Sequence, residues 1–471
     1  WANLRLANLT WDIKQAYTWA PLPPGERIAV VYPDGFKRQD SDGNELFAVL
    51  EKNLYGMPNA ARGWGQHRDE FIIRRFNQKG WRCTKSTSDP CLFIIDKIQP
   101  DDRWKTDFTK EKLKPYYDAE EGLPNDASRS WILIHTDDCD AYGQCRDDLD
   151  EIYKIMNDRW AAEIVPSDFV LGVKRTRVED NDNGWYSEMT MPSFIQDLYN
   201  LFKDDMETHF GKAKCHSKRF PTPFPEKCIL SKSSEVDDDE IKRNIKRGYQ
   251  KLIGSLLWVV RHCSPICSYG CSQLCKLMAT PSDEAWAGAL HMLGYLYSNK
   301  ERGIRFSQND DMPVCYVDAS NKDDPNDGKT QYGYSIQWGG PLITKSGKLG
   351  HVGINSTYNE YMALHHCIKQ TVWMRQLFQE CGLAHLNAKP TTTFADNKQA
   401  NKICKEDLVT AGNMYFRTGY HYNKEAQRDG YVDVVYIKTD SNISDATTKA
   451  LASNKIKEFE PQLHGYEALG H

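Results

Sequence analysis

The chain has 471 residues, enough for two to four domains at roughly 100–200 residues each. Hydrophobic residues make up 40% and aromatic ones 11%, with 31 Gly and 21 Pro; this excludes a disordered, collagenous or low-complexity chain. Against 60 basic residues stand 65 acidic ones, a net charge of −5, which excludes a uniformly basic nucleic-acid binder but not a basic groove within an acidic total.

Asn8–Tyr17 reads as a strand running into a turn, and Ala61–Arg75 as a helix. Nothing ahead of them has the basic n-region of a signal peptide, and the missing initiator Met points to an excised piece of a longer polypeptide. Cys91–Ile95 is a short buried strand, and a polar, aperiodic stretch over 98–130 reads as a surface insertion. Trp131–Thr136 is a second apolar strand ending at Asp137-Asp138; if it pairs with 91–97, the insertion is the loop of an overgrown hairpin. Glu151–Ile164 then reads as one helix and Phe169–Val178 as one strand. A linker rich in Pro, Ser and acids spans 215–245, and 249–300 is apolar and mostly helical. Over 313–455, strands alternate with helices in the pattern of a mixed α/β sheet, with helices expected at 356–380, 397–406, 414–428 and 442–452. The expected class is therefore α+β and multidomain. No apolar run approaches the roughly 18 residues that cross a bilayer, so no membrane partner is expected.

Fourteen cysteines diluted over this length suit reduced thiols. Cys263, Cys267, Cys271 and Cys275 recur every four residues, along one stripe of a helix. A straight stripe cannot converge tetrahedrally on zinc, so these four read as small core residues.

Asp318 and Asp396 end apolar strands, Glu360 lies in the first turn of the 356–380 helix, and Asp445 opens the last expected helix. Four acids at element ends of one α/β domain suit a two-metal site, because Mg²⁺ takes hard oxygen ligands and two ions can clamp a phosphodiester. They also suit helix caps and macrodipole partners, which spacing alone favours. Asp12, on the first strand, and Asp137-Asp138, at a hairpin tip, pose the same choice between a metal pair and a solvated acidic turn.

The order and wording of the segments resemble the reverse transcriptase–ribonuclease H part of a copia-type (Pseudoviridae) retrotransposon polyprotein. Asp12-Ile13-Lys14-Gln15-Ala16-Tyr17 is similar to the first catalytic motif of that palm, and Leu54–Trp64 to its nucleotide-binding motif. Ser88–Phe93 follows in place, His135-Thr136-Asp137-Asp138 stands where the aromatic-X-Asp-Asp box does, and Phe169–Gly172 resembles the strand under the primer end. Tyr249–Met278 resembles the connecting region. The ribonuclease H motifs match most closely, at Tyr316–Ala319, Ser356–Leu364, Ala395–Asn397 and Ser444–Leu451.

The resemblance implies a palm with partial fingers over 1–180, a thumb and connection over 181–310, a ribonuclease H-like domain over 311–455 and a tail over 456–471. It implies an RNA-directed DNA polymerase with ribonuclease H activity. Asp12, Asp137 and Asp138 would hold two Mg²⁺ ions, and Asp318, Glu360, Asp396 and Asp445 two more, with Mn²⁺ also suited to oxygen ligands. Tyr17 would exclude a 2′-hydroxyl, and Asn59 and Arg62 would contact the nucleotide. Implied partners are RNA template, DNA primer, their hybrid, dNTPs, the integrase, capsid and protease segments of the polyprotein, and a second copy in a dimer. The implied location is a cytoplasmic virus-like particle and the nucleus. Three departures stand out: the finger segment expected before the first motif is missing, His135 replaces an aromatic residue, and the 98–130 insertion is unusual; Pro58-Asn59 also stands where relatives carry Lys-Gln. They leave open a rival reading, a catalytically impaired or domesticated copy that binds nucleic acid as a scaffold.

Overall fold

The first apolar segment forms a strand, β1 (Ala7–Ile13), with Leu9, Trp11 and Ile13 buried, and it lies one strand in from the edge of an antiparallel sheet. The computed structural model describes residues 6–97, 128–180, 184–217, 220–226, 228, 230, 236–308, 311–320, 324, 326–406, 417–467 and 469. Most of the expected insertion, 98–127, lies outside them. The chain divides into two units, one running to Leu171 and the other starting at Gly172, and both mix helices and strands.

In the first unit, β2 (Ala29–Val31) and β3 (Phe47–Val49) form a separate two-stranded ribbon. The main sheet adds β4 (Arg82–Lys85), β5 (Leu92–Lys97), β6 (Ser128–His135), β7 (Asp138–Gly143) and β8 (Ala162–Val165), in the order β4-β5-β6-β7-β1-β8. β5 pairs with β6 from Leu92↔Leu133 to Lys97↔Ser128, the expected hairpin. Ser128–Ser130, read from sequence as insertion, belong to β6, where Arg129 bonds the buried Asp96 at 2.6 Å. Helices Ala60–Gln78 and Arg146–Arg159 bury Trp64, Ile72, Phe76 and Ile152 against Trp11, Phe93 and Ile132 of the sheet. Each such large side chain contributes about 2–3 kcal/mol by leaving water.

The helix expected over Glu151–Ile164 stops at Arg159. Trp160 takes extended backbone and drives its ring into the core, edge-on to Trp64 at 5.1 Å and to Phe71 at 4.6 Å. The residues beyond it pair with β1 as β8. The strand expected over Phe169–Val178 is likewise split into β9 (Phe169–Val170) and β10 (Val173–Asp180), because Leu171 and Gly172 both have positive φ.

In the second unit, β10 pairs with β11 (Gly184–Thr190) and β11 with β12 (Ile304–Ser307), all antiparallel. Between them run helices Pro192–Leu201, Lys203–Phe210, Lys212–Ser217, Asp238–Arg247, Tyr249–His262, Ser268–Cys275 and Asp283–Ser298. Two of these, Lys212–Ser217 and Asp238–Arg247, fall partly inside the expected 215–245 linker. A proline-led 3-10 turn, Pro265–Cys267, interrupts the cysteine stripe. Cys263, Cys267 and Cys271 are still core residues, and burial pushes the Cys263 and Cys267 thiols up to about 12.

The remaining sheet has the order β15-β14-β13-β16-β17. β13 (Val314–Ala319), β14 (Gln331–Gln337) and β15 (Pro341–Lys348) are antiparallel, and β16 (Thr391–Ala395) and β17 (Val432–Tyr436) run parallel to β13. Helix Ser356–Glu380 packs Tyr361, Leu364 and Ile368 into the same core as Val317, Ile336 and Val434. The helix expected over 442–452 is replaced by 3-10 turns at Thr439–Ser441 and Ile443–Thr447, followed by helix Ser453–Leu463. The fully buried Asn442 explains this: its amide donates to Val317 O at 2.9 Å and its oxygen accepts from Ser444, which locks a loop against β13.

Candidate active site

Parallel pairing aligns the ends of β13 and β16, with Val317 opposite Ala395, so that Asp318 and Asp396 emerge side by side. Helix Ser356–Glu380 brings Glu360 over the same edge. Carboxylate oxygens of Asp318, Glu360 and Asp396 lie within 4.8 Å of one another, a grouping that no other acids, His or Cys reach among the described residues. Asp318 and Glu360 are buried, and Glu360 Oε2 has no hydrogen-bond partner among the described residues. Burial, then the Asp318 and Asp396 charges, push the Glu360 carboxyl well above the usual range.

Hydroxyls fix two of these acids. Thr439 Oγ1 donates to Asp396 Oδ2 at 2.7 Å, and Thr448 Oγ1 donates to Asp318 Oδ2. Asp396 is also raised, by burial first and by Asp318, although the Thr439 bond opposes this. Asp445 lies on the 3-10 turn Ile443–Thr447 and stands outside the trio, with Lys449 Nζ 3.0 Å from its Oδ1 and 3.4 Å from Asp318 Oδ2. Burial and Asp318 push the Asp445 carboxyl up to about 7 even so. Gly333 of β14 makes room for the turn, because a Cβ there would lie 1.8 Å from Thr447 Oγ1.

Crowded carboxylates that resist ionisation, with one desolvated oxygen unpartnered, fit a hard divalent cation. Such an ion would supply the missing positive charge and an oxygen-seeking partner for Glu360.

In the first unit, register sets Asp12 directly opposite Asp138 across β1 and β7. His135 pairs with Asp138 across a two-residue hairpin loop, Thr136-Asp137, and Thr136 has φ +60°. Trp64 Nε1 donates to Thr136 O at 2.7 Å, bracing that turn from helix Ala60–Gln78. Burial, then neighbouring acids led by Asp137, raise the carboxyls of both Asp12 and Asp138. These three acids do not form a group as tight as the first one. Tyr17 lies on the 3-10 turn Ala16–Trp19 with its ring 4.6 Å from that of Tyr55. Asn59 precedes helix Ala60–Gln78 without a side-chain cap bond, and both it and Arg62 are exposed.

Sequence reasoning gave no role to Lys449, Thr448, Thr439 or Trp64. Only Lys449 left a readable signal, a basic residue four positions after an acid.

No protein-family model matches the chain. It is 23% identical over 461 residues to the Retrovirus-related Pol polyprotein from transposon TNT 1-94 of Nicotiana tabacum, covering 97% of this chain and 31% of that polyprotein. The corresponding RE1 and RE2 polyproteins of Arabidopsis thaliana are 22% identical, over 96% of this chain and 27% of theirs. The chain thus spans less than a third of the polyproteins it matches. Among solved structures, foamy viral protease-reverse transcriptase in complex with RNA/DNA hybrid aligns with a TM-score of 0.43 at 12% identity, over 92% of this chain and 44% of that one. Across nearly its whole length, this chain is a homologue of copia-type Pol polyproteins.

Proposed function

We propose that the chain is the reverse transcriptase–ribonuclease H portion of such a polyprotein, copying retrotransposon RNA into DNA and degrading the RNA strand of the hybrid. The observation that carries this reading is the trio Asp318, Glu360 and Asp396, with a buried Glu360 oxygen left without a partner. Residues 1–180 serve as palm with partial fingers, 181–310 as thumb and connection, 311–455 as the ribonuclease H-like domain and 456–471 as a tail. Template, primer, hybrid and dNTPs are the partners, with the other polyprotein segments and a second copy as assembly partners in a virus-like particle and the nucleus.

Two Mg²⁺ or Mn²⁺ ions per site supply charge neutralisation at the phosphate and a more acidic water or primer hydroxyl. For RNA hydrolysis, Asp318 and Asp396 present oxygens from adjacent strands, Glu360 from the helix above, and Asp445 from its turn. Thr448 and Thr439 hold the carboxylates in orientation, and Lys449 offsets part of their charge. For polymerisation, Asp12, Asp137 and Asp138 are the corresponding acids. Tyr17, set against Tyr55, walls off a 2′-hydroxyl, while Asn59 and Arg62 offer an amide and a guanidinium to the nucleotide.

The impaired-copy reading draws on one observation, the looser spacing of Asp12, Asp137 and Asp138. A labelled DNA primer on a differently labelled RNA template, with Mg²⁺ and dNTPs, separates the two. Asp318→Asn should stop template cleavage alone and Asp138→Asn primer extension alone. A folded wild-type chain that leaves both strands unchanged establishes the scaffold instead.

A further inference from the structure

Along β17, Val432 and Val434 are buried on one face, and Tyr436 continues the same alternation. Such a side chain belongs in the core, yet Tyr436 is 44% exposed, because the sheet ends beneath it. Lys398, itself exposed, places its ammonium over the ring at 4.6 Å from the centroid. Both residues are tied to the acidic edge. Tyr436 is the strand partner of Ala395, the residue before Asp396, and Lys398 follows Asp396 by two positions. Thr439, three residues past Tyr436, donates to Asp396.

We infer that Lys398 and Tyr436 form a binding subsite for the sugar–phosphate backbone of the RNA–DNA hybrid, beside the phosphate that reaches the acids; the inference rests on the ribonuclease H reading above. Neighbouring strands are about 4.8 Å apart, so the Tyr436 backbone lies one strand away from Ala395, the residue before Asp396. The exposed part of the ring suits a sugar, and the ammonium held over it suits a phosphate, so the pair binds backbone without reading sequence. The acids repel phosphates, and a cation held one strand away supplies local attraction without disturbing them. Lys405, by contrast, is paired with Asp433 at 3.0 Å, farther back along the same strand, and serves as the control.

The test is anisotropy of a labelled RNA–DNA hybrid titrated with the full chain in EDTA, together with cleavage mapping in Mg²⁺. Tyr436→Ala should weaken binding roughly fivefold and scatter the cleavage positions, with Tyr436→Phe recovering most of the affinity. Lys398→Gln should lower the salt dependence by about one phosphate contact, and Lys405→Gln should leave it unchanged. Wild-type affinity and salt dependence in both Tyr436→Ala and Lys398→Gln would overturn the subsite. Cleavage that survives in Asp318→Asn would overturn the underlying reading instead, and the anisotropy would still decide the subsite. Failure of folded wild-type chain to bind the hybrid overturns both.

Discussion

Gly333 and Thr447 approach so closely that a methyl group on the glycine would overlap the threonine hydroxyl. That contact seats the turn carrying Asp445 on β14. Gly333→Ala should therefore cost about 2–3 kcal/mol and displace Asp445. Urea unfolding and hybrid cleavage should both register the loss, and an unchanged unfolding midpoint would show that the turn yields freely.

Glu360 is the group the apo site tolerates least, since its buried Oε2 lacks a partner and its neighbours are acids. Glu360→Gln removes that like charge. In EDTA the melting temperature should rise by roughly 2–4 °C while hybrid cleavage is lost. A lower melting temperature would mean that the carboxylate stabilises the cation-free fold.

Lys449 bridges Asp318 and Asp445. Its side chain is 39% exposed, so water screens part of the interaction, and Lys449→Met should destabilise the EDTA form by only about 1 kcal/mol. Mg²⁺ should stabilise the variant more than it does wild type, because the ion meets less competing positive charge. Thermal melts with and without Mg²⁺ measure the difference directly.

His291 donates to Thr222 O at 2.9 Å and packs edge-on against the rings of Phe210 and Phe220. Burial pulls its pKa down from 6.5 to about 4. Between those values the unfolded chain holds the proton and the folded chain does not. Stability present above pH 6.5 is therefore lost as the pH falls toward 4, by up to roughly 3 kcal/mol. His291→Gln should flatten the pH dependence of urea unfolding over this window; the wild-type slope in the variant would assign it elsewhere.

Local periodicity reported well on the last sheet, where β13, β14 and β17 each carry an apolar alternation or run. It failed where a tertiary contact outweighed local preference. Trp160 ends a helix because its ring fills a hole between Trp64 and Phe71, and nothing in Ala161–Val165 announces an edge strand. Asn442 abolishes an expected helix through a bond to Val317, distant in sequence. At the site, strand-end acids were legible because strand ends are. The threonines that orient them were not, since a hydroxyl's partner depends on a loop path that no short-range pattern encodes.

Thr448 and the Asp318 carboxylate it holds are 130 positions apart in the chain. During synthesis the acids of β13, the long helix and β16 all emerge from the ribosome before the turn that orients them. A nascent chain that has not reached the turn therefore carries Asp318 without the Thr448 hydroxyl that holds it. The turn over Ile443–Thr447 is thus the last piece of the acidic group to be made, and Asp318 gains its orienting hydroxyl only once Thr448 can fold back onto β13.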